Sequence, residues 1–446
     1  MMHHLAKTLL GLQRPDRLRH YAALRSREWL SREVLADESR AALTAMLRHA
    51  CATVPFYRDV CAEAGLDPAA VTGRDLHRFP LVTKRMMTEG GERFHDATAD
   101  RSRFVPSATG GSTGVWFRFF VDARAIEYRA ANDMRSRTWT GWRPGDKQAI
   151  LWGHAGDTSK AATLRGRLVG AFVLRARTLN AYSMDDAKLQ AYYRELRAFR
   201  PRMILGYASA LAFFAEYVSR RQLSFPSPAG MIASAETLTD DHRATIESVF
   251  SCPLLNRYGS REFAVIAQQC PERGGLHVFD DMVHLEVLRP DGSPCGPGER
   301  GELVITDLSN RVMPFIRYRT GDLAVPTDEA CSCGRGYPLL AAVEGRTSEL
   351  IVGRNGKYYS CQSPRLFGAD IPGIGQMQLI QDRVEAITVR IVPDALWGPE
   401  SHERLVTRMR DLLGDVEVTL DLVDEIPPAP SGKYRFTISS VSPWSR

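Results

Sequence analysis

Met203-Ile-Leu-Gly-Tyr207 and Gly230-Met-Ile-Ala-Ser234 are short apolar runs, separated by a stretch from Ala210 to Arg220 whose apolar residues recur at helical spacing. Runs of five suit strands and a periodic decamer suits a helix, so the segment reads strand, helix, strand. The rhythm continues upstream, where helical spacing over roughly 123–139 and 185–199 flanks a short apolar strand at Gln148–Trp152. Strands alternating with helices of this length specify a parallel α/β sheet, whose ligands sit beyond the carboxyl ends of the strands. Gly206-Tyr207 and Ser234-Ala235-Glu236 stand at two such ends.

Before this unit lies Ser107-Ala-Thr-Gly-Gly-Ser-Thr-Gly114, three glycines and four hydroxyls between apolar runs. Glycine lets backbone approach a ligand closely and turn its N–H groups inward, and the hydroxyls of Ser107, Thr109, Ser112 and Thr113 add donors. With Gly110, Gly111 and Gly114 they suit a polyphosphate. By itself such an octet is also the composition of a flexible turn. No Gly-Lys-Ser/Thr follows, so it is not a Walker A loop. Trp116 to Val121 alternates as a strand, which makes the octet a turn between two β segments.

The chain has 446 residues, enough for two or three domains, and 44% hydrophobic with 25% charged residues is a globular composition. A net charge of +6 is mild, and no Lys/Arg block interleaved with aromatics argues for a nucleic-acid partner. Residues 1–21 carry only a short apolar patch before charges interrupt it, which reads as an amphipathic helix rather than a signal peptide. No run approaches eighteen apolar residues, so no spanning helix is expected. Leu30, Val34, Leu35, Leu43, Met46, Leu47 and Ala50 predict two helices within 25–65. Eight cysteines are too sparse for a disulfide framework at this length, and a reducing cytoplasm is the simplest setting. Oligomeric state is not written in the sequence.

Beyond 275 the pattern turns β-rich: His277–Val287, Gly301–Thr306 and Pro314–Arg319, with Asp-Gly and Gly-Pro-Gly turns, predict a β subdomain. The last hundred residues read as strand 386–392, helix 399–413 and strand 416–423, a small lid-like unit. The division expected is a nucleotide- and acyl-binding domain over 1–345 and a lid over 346–446.

Four further polar stations follow the glycine loop. Asn256-Arg-Tyr-Gly-Ser-Arg-Glu262, read as following a helix end, places Tyr258, Gly259 and Glu262 together, and a glutamate beside a triphosphate can hold Mg²⁺. Pro314 to Asp322 is read as an apolar strand ending on Thr-Gly-Asp, where Asp322 can accept both ribose hydroxyls; Arg317 and Arg319 suit ion pairs or anions. Arg346 offers a fork for phosphate or ribose oxygens. Lys433, in Pro430-Ser-Gly-Lys-Tyr-Arg435, is an ammonium in a glycine-containing loop, able to neutralise charge at a reacting carboxylate.

Together the five stations resemble, in order and approximate spacing over residues 25–440, the adenylate-forming superfamily of acyl-CoA synthetases, luciferases and adenylation domains, in its phenylacetate-CoA ligase-like branch. The resemblance implies a large α/β domain with a β subdomain and a small mobile α+β lid. It implies that 107–114 is the pyrophosphate loop, Tyr258 and Glu262 the adenine- and magnesium-contacting motif, and Asp322 the ribose aspartate. Arg346 then begins the hinge, with Ser348 where Asp or Lys commonly stands, and Lys433 is the mobile lysine of the first half-reaction. Val115 replaces a lysine often found after the loop. Tyr207, Ala235, Glu236 and Gly259 become candidate lining of the acyl pocket. The implied activity is activation of an aromatic or bulky carboxylic acid by Mg·ATP, then transfer of the acyl group to coenzyme A. Transfer to an amine or a carrier-protein thiol, and a non-catalytic nucleotide-binding scaffold, are the alternatives.

The cysteines add a separate signal. Cys331-Ser-Cys333 is a close pair, and Cys270 with His277 lies at the entrance to the β-rich region. Three thiolates and an imidazole form a closed tetrahedral set suited to structural zinc. His284 and Cys295 are competing ligands.

Overall fold

The computed structural model describes residues 14–109, 117–152, 175–181, 184, 186–346, 350–355, 358–360, 367–427 and 436–441. The described residues open on three helices: α1 (Pro15–Arg27), α2 (Arg32–Thr53) and α3 (Pro55–Glu63). Ser31 starts α2 by accepting from the Val34 N–H, and Pro55 at the first turn of α3 gives up an N–H that would be orphaned anyway. Leu43, Leu47 and Ala50 of α2, buried to 2% exposure or less, face the main core. A disulfide joins Cys51 to Cys61 across α2 and α3. The two helices expected within 25–65 are α2 and α3, and α1 precedes them.

After α4 (Lys84–Gly90), an antiparallel hairpin of β1 (Phe104–Thr109) and β2 (Phe117–Asp122) carries the glycine loop at its tip. Ser107 pairs with Phe119 and Thr109 with Phe117, so the front of the octet is strand. Residues 110–114 lie outside the described residues.

The alternating region forms α5 (Ala123–Thr138), β3 (Gln148–Trp152), β4 (Ala176–Asn180), α6 (Asp186–Phe199), β5 (Met203–Tyr207), α7 (Ala208–Arg220), β6 (Gly230–Ser234) and α8 (Asp240–Phe250), of which β4 and α8 were not expected from the sequence. Strands β4, β3, β5 and β6 run parallel, with β7 (Leu254–Ser260) parallel beside β6. Phe214, Phe250 and Leu211 pack α7 and α8 against this half, each fully buried.

The β-rich region is not a separate sheet. β8 (Ala264–Gln269) turns back antiparallel on β7, and β9 (Leu276–Val278), β10 (Val283–Leu288), β11 (Gly301–Asp307), β12 (Tyr318–Thr327) and β13 (Leu339–Arg346) extend the same sheet. Its order is β10-β11-β12-β13-β9-β8-β7-β6-β5-β3-β4, eleven strands among the described residues. Two further expectations are corrected. Tyr258 sits within strand β7 rather than after a helix, and Pro314–Arg317 is irregular, so Thr320-Gly321-Asp322 lies inside β12 instead of following a strand. Just before β12, Arg317 takes φ +47, and its guanidinium pairs with both Glu286 oxygens and the carbonyls of His77 and Phe79.

Past a two-stranded ribbon of β14 (Leu350–Val352) and β15 (Tyr358–Ser360), a second sheet forms from β16 (Ile374–Arg383), β17 (Ala386–Pro393), β18 (Glu417–Leu422) and β19 (Thr437–Ser439). The expected strand-helix-strand is β17, α9 (Pro399–Leu413) and β18, with β16 and β19 completing the order β18-β17-β16-β19. It has its own core, in which Leu405, Met409 and Leu413 of α9 meet Leu379, Val389 and Ile391.

Candidate functional site

Tyr258 and Asp322 are 64 residues apart, and the Tyr258 hydroxyl donates to Asp322 Oδ2 at 2.5 Å. Burial above all, and then the Asp322 charge, push the phenol well above its ordinary range, so Tyr258 stays a donor at any physiological pH. The Asp322 backbone N–H donates to Thr320 Oγ1 at 3.1 Å, and Asp322 stands opposite Arg346 in the β12–β13 register. Gly321, at φ +73, lets β12 bend there. Glu262 is half-buried in the turn between β7 and β8 and contributes to the field around Tyr258.

A shared aromatic cluster holds these stations to the hairpin. Phe117, the first described residue after the glycine loop, stacks on Tyr318 at 6.4 Å, while Phe263, beside Glu262, meets Tyr318 at 5.8 Å and Phe315 at 5.5 Å. Val82 bridges Tyr318, with the Arg319 N–H donating to its carbonyl at 2.9 Å. Sequence reasoning missed Phe117, Phe263 and Tyr318 as positioning residues; each is immediately next to or a few residues from a named station, which was the available signal. Arg317 and Arg319 make ion pairs, to Glu286 and Glu302 respectively.

At the carboxyl ends of the parallel strands, Trp152 and Tyr207 place their rings 4.4 Å apart. Ala235 takes φ +65 just past β6, and Glu236 Oε2 accepts from the N–H and hydroxyl of Ser209 in the first turn of α7, at 3.0 and 2.6 Å. That carboxylate complements the positive end of the helix. Gly259 has no room for a side chain, because a Cβ would lie 2.4 Å from the Ala264 carbonyl oxygen. Ser348 and Lys433 lie outside the described residues, as does the Arg346 side chain.

The thiols gather elsewhere. Cys270, His277, Cys331 and Cys333 bring one donor atom each within 4.8 Å of all the others. Cys270 and Cys331 Sγ are 3.5 Å apart, and Cys333 Sγ is 3.4 Å from His277 Nε2. These are the edges of a tetrahedron that a zinc ion with bonds of about 2.0–2.3 Å would fill. Burial, and secondarily Arg335, push His277 down to about 4, so the imidazole is neutral and a lone pair is free to coordinate. His284 and Cys295 do not join the cluster. Cys270 lies just past β8, His277 on β9, and Cys331 and Cys333 before β13, whereas Arg346 ends β13 and Asp322 stands opposite it on β12.

The carboxyl ends of a parallel sheet, joined to a glycine hairpin and followed by a small α+β unit, define a fold also seen in solved acyl-CoA ligases. A 2-hydroxyisobutyryl-CoA ligase in the postadenylation state, in complex with R3-HIB-AMP, matches with a TM-score of 0.70 at 21% identity, covering 93% of this chain and 91% of that one. The fold is therefore that of the adenylate-forming ligases. In sequence, a phenylacetate-coenzyme A ligase of Thermus thermophilus is 29% identical over 345 residues, 75% of each chain. Protein CapK of Staphylococcus aureus is 23% identical over 407 residues, 86% of this chain and 85% of that one, and residues 365–440 match the CapK C-terminal domain. In sequence the chain is similar to the phenylacetate-CoA ligases.

Proposed function

We propose that the chain is an AMP-forming acid–thiol ligase: residues 1–345 bind Mg·ATP and a carboxylic acid, and 346–446 close over them as a lid. The supporting observation is the Tyr258–Asp322 contact, which gathers two distant stations beside the hairpin that carries the glycine loop. In this reading Asp322, held by Tyr258, accepts the ribose hydroxyls, and the loop N–H groups and hydroxyls from Ser107 to Gly114 receive the β- and γ-phosphates. Glu262 fits magnesium's habit of taking one or two carboxylates plus substrate phosphates.

The acid's carboxylate attacks the α-phosphorus, forming the acyl-adenylate and expelling pyrophosphate. Two anions must meet, so the work is mostly electrostatic, and Lys433 supplies the cation between them. The thiolate of coenzyme A then attacks the acyl carbon and AMP leaves. We assign the acid as aromatic, because the Trp152–Tyr207 ring pair walls the carboxyl ends of β3 and β5 where the acyl group would lie. Such an enzyme works where ATP and coenzyme A are abundant, in the cytoplasm; no described helix is long and apolar enough to cross a membrane.

The Cys/His cluster fits a structural zinc. Its donor set is closed, leaving no position for substrate, and it lies across the sheet from the nucleotide residues. Bound zinc would tie the β8–β9 connection to the loop before β13.

ATP–pyrophosphate exchange against arylacetic, benzoic and short aliphatic acids tests the reading. Exchange stimulated by an aryl acid, and reduced about 10²–10³-fold in Lys433→Ala with ATP binding retained, is expected. Exchange stimulated by no acid, or undiminished in that variant, would overturn it.

A further inference from the structure

We infer that the Cys270/His277/Cys331/Cys333 cluster is the clasp of the N-terminal arm, so that metal binding and docking of α1 are one equilibrium. This rests on the zinc reading above. The loop from Cys331 to Pro338 has no regular structure, and the cluster contributes two of its residues as ligands. Immediately after Cys333, Arg335 reaches back to residues 28–30. Its guanidinium lies between Trp29 and Trp139, 4.7 and 4.5 Å from the ring centres, and its Nε points at Glu28 Oε2 at 3.4 Å. Gly336 touches the arm's backbone so closely that a Cβ would sit 2.2 Å from the Leu30 carbonyl oxygen.

Glu28 has 0% exposure and ends α1. Its carboxylate receives Arg25 at 2.9 Å, Trp139 Nε1 at 3.2 Å and Arg335. The Trp139 ring stands edge-on to the His277 imidazole at 5.4 Å. The ligand histidine thus leans on an indole whose N–H is spent on the arm. A buried carboxylate that loses a cationic partner is strongly destabilised. Freeing the 331–337 loop from its anchor therefore undocks Arg335, and with it the arm; loss of the arm in turn releases the Trp139 N–H from Glu28 and so loosens the ring that stands against His277. Outer groups of this kind typically change metal affinity by about 10–100-fold.

The test uses the full chain, loaded with zinc and then stripped by chelation. Hydrogen exchange is followed across residues 15–30 and, as an internal reference, across β16–β18. Metal removal should raise exchange in 15–30 by about tenfold or more and leave the reference unchanged. Arg335→Ala and the exposed Trp29→Ala, which keep all four ligands, should release zinc to a competing chromogenic chelator about 10–100-fold faster. A wild-type chain that takes up no zinc overturns both the metal reading and the clasp. Zinc taken up with 15–30 indifferent to its removal, and both variants holding it like wild type, overturns the clasp alone.

Discussion

Asp280 is buried, its Oδ1 has no hydrogen-bond partner, and burial first, then the neighbouring Asp281, push it up to about 7 against the pull of Arg27 from α1 and Arg135 from α5. Folding therefore favours its neutral form. That contribution is complete below about pH 4, where the unfolded chain is also protonated, and is lost as pH rises towards 7. Asp280→Asn, which mimics the neutral acid, should leave stability unchanged near pH 4 and raise it by about 2–4 kcal/mol at pH 8. Denaturant midpoints at the two pH values check this, and equal shifts at both would remove the ionisation argument. Nothing in the local sequence marks Asp280 as buried. Glu262, Asp322 and Lys433 stood out because they sit in short polar motifs among small residues, whereas Asp280 is defined by partners on two helices more than a hundred residues upstream.

The elements that were legible are those with a local cause. Apart from β4, which the sequence reading missed, the described strands and helices from 123 to 234 follow directly from the switch between apolar runs and helical spacing. The continuity of the sheet was not legible, because β13 enters between β12 and β9, a pairing across some sixty residues that no local period records. The turn joining β7 to β8 lies between these cases. Glycine at 259 marks a close approach, and only the structure identifies what approaches. Gly259→Ala would drive a Cβ into the Ala264 carbonyl, and backbone yields less readily than a side chain. The variant should lose about 1–3 kcal/mol of stability, read as a lower unfolding midpoint. An unchanged midpoint would mean that the hairpin relaxes freely.

For the whole molecule the proposal requires the C-terminal unit to occupy two positions, one delivering Lys433 and one admitting the thiol. The unit is equipped to move as a body, since α9 and β16–β19 enclose a separate core. Ser348→Pro, at the expected pivot, should slow thioester formation at least about tenfold while pyrophosphate exchange stays within about twofold. Equal loss of both half-reactions would place the pivot elsewhere.

Between Ala264 and Gln269, β8 spans roughly 17 Å at the usual rise of a strand, with the proposed magnesium residue Glu262 before its start and Cys270 just past its end. Cobalt substituted among those thiolates would give the protein a visible absorption band while leaving turnover alone. Its colour would then register whether the arm is seated, in a molecule whose chemistry proceeds undisturbed at the far edge.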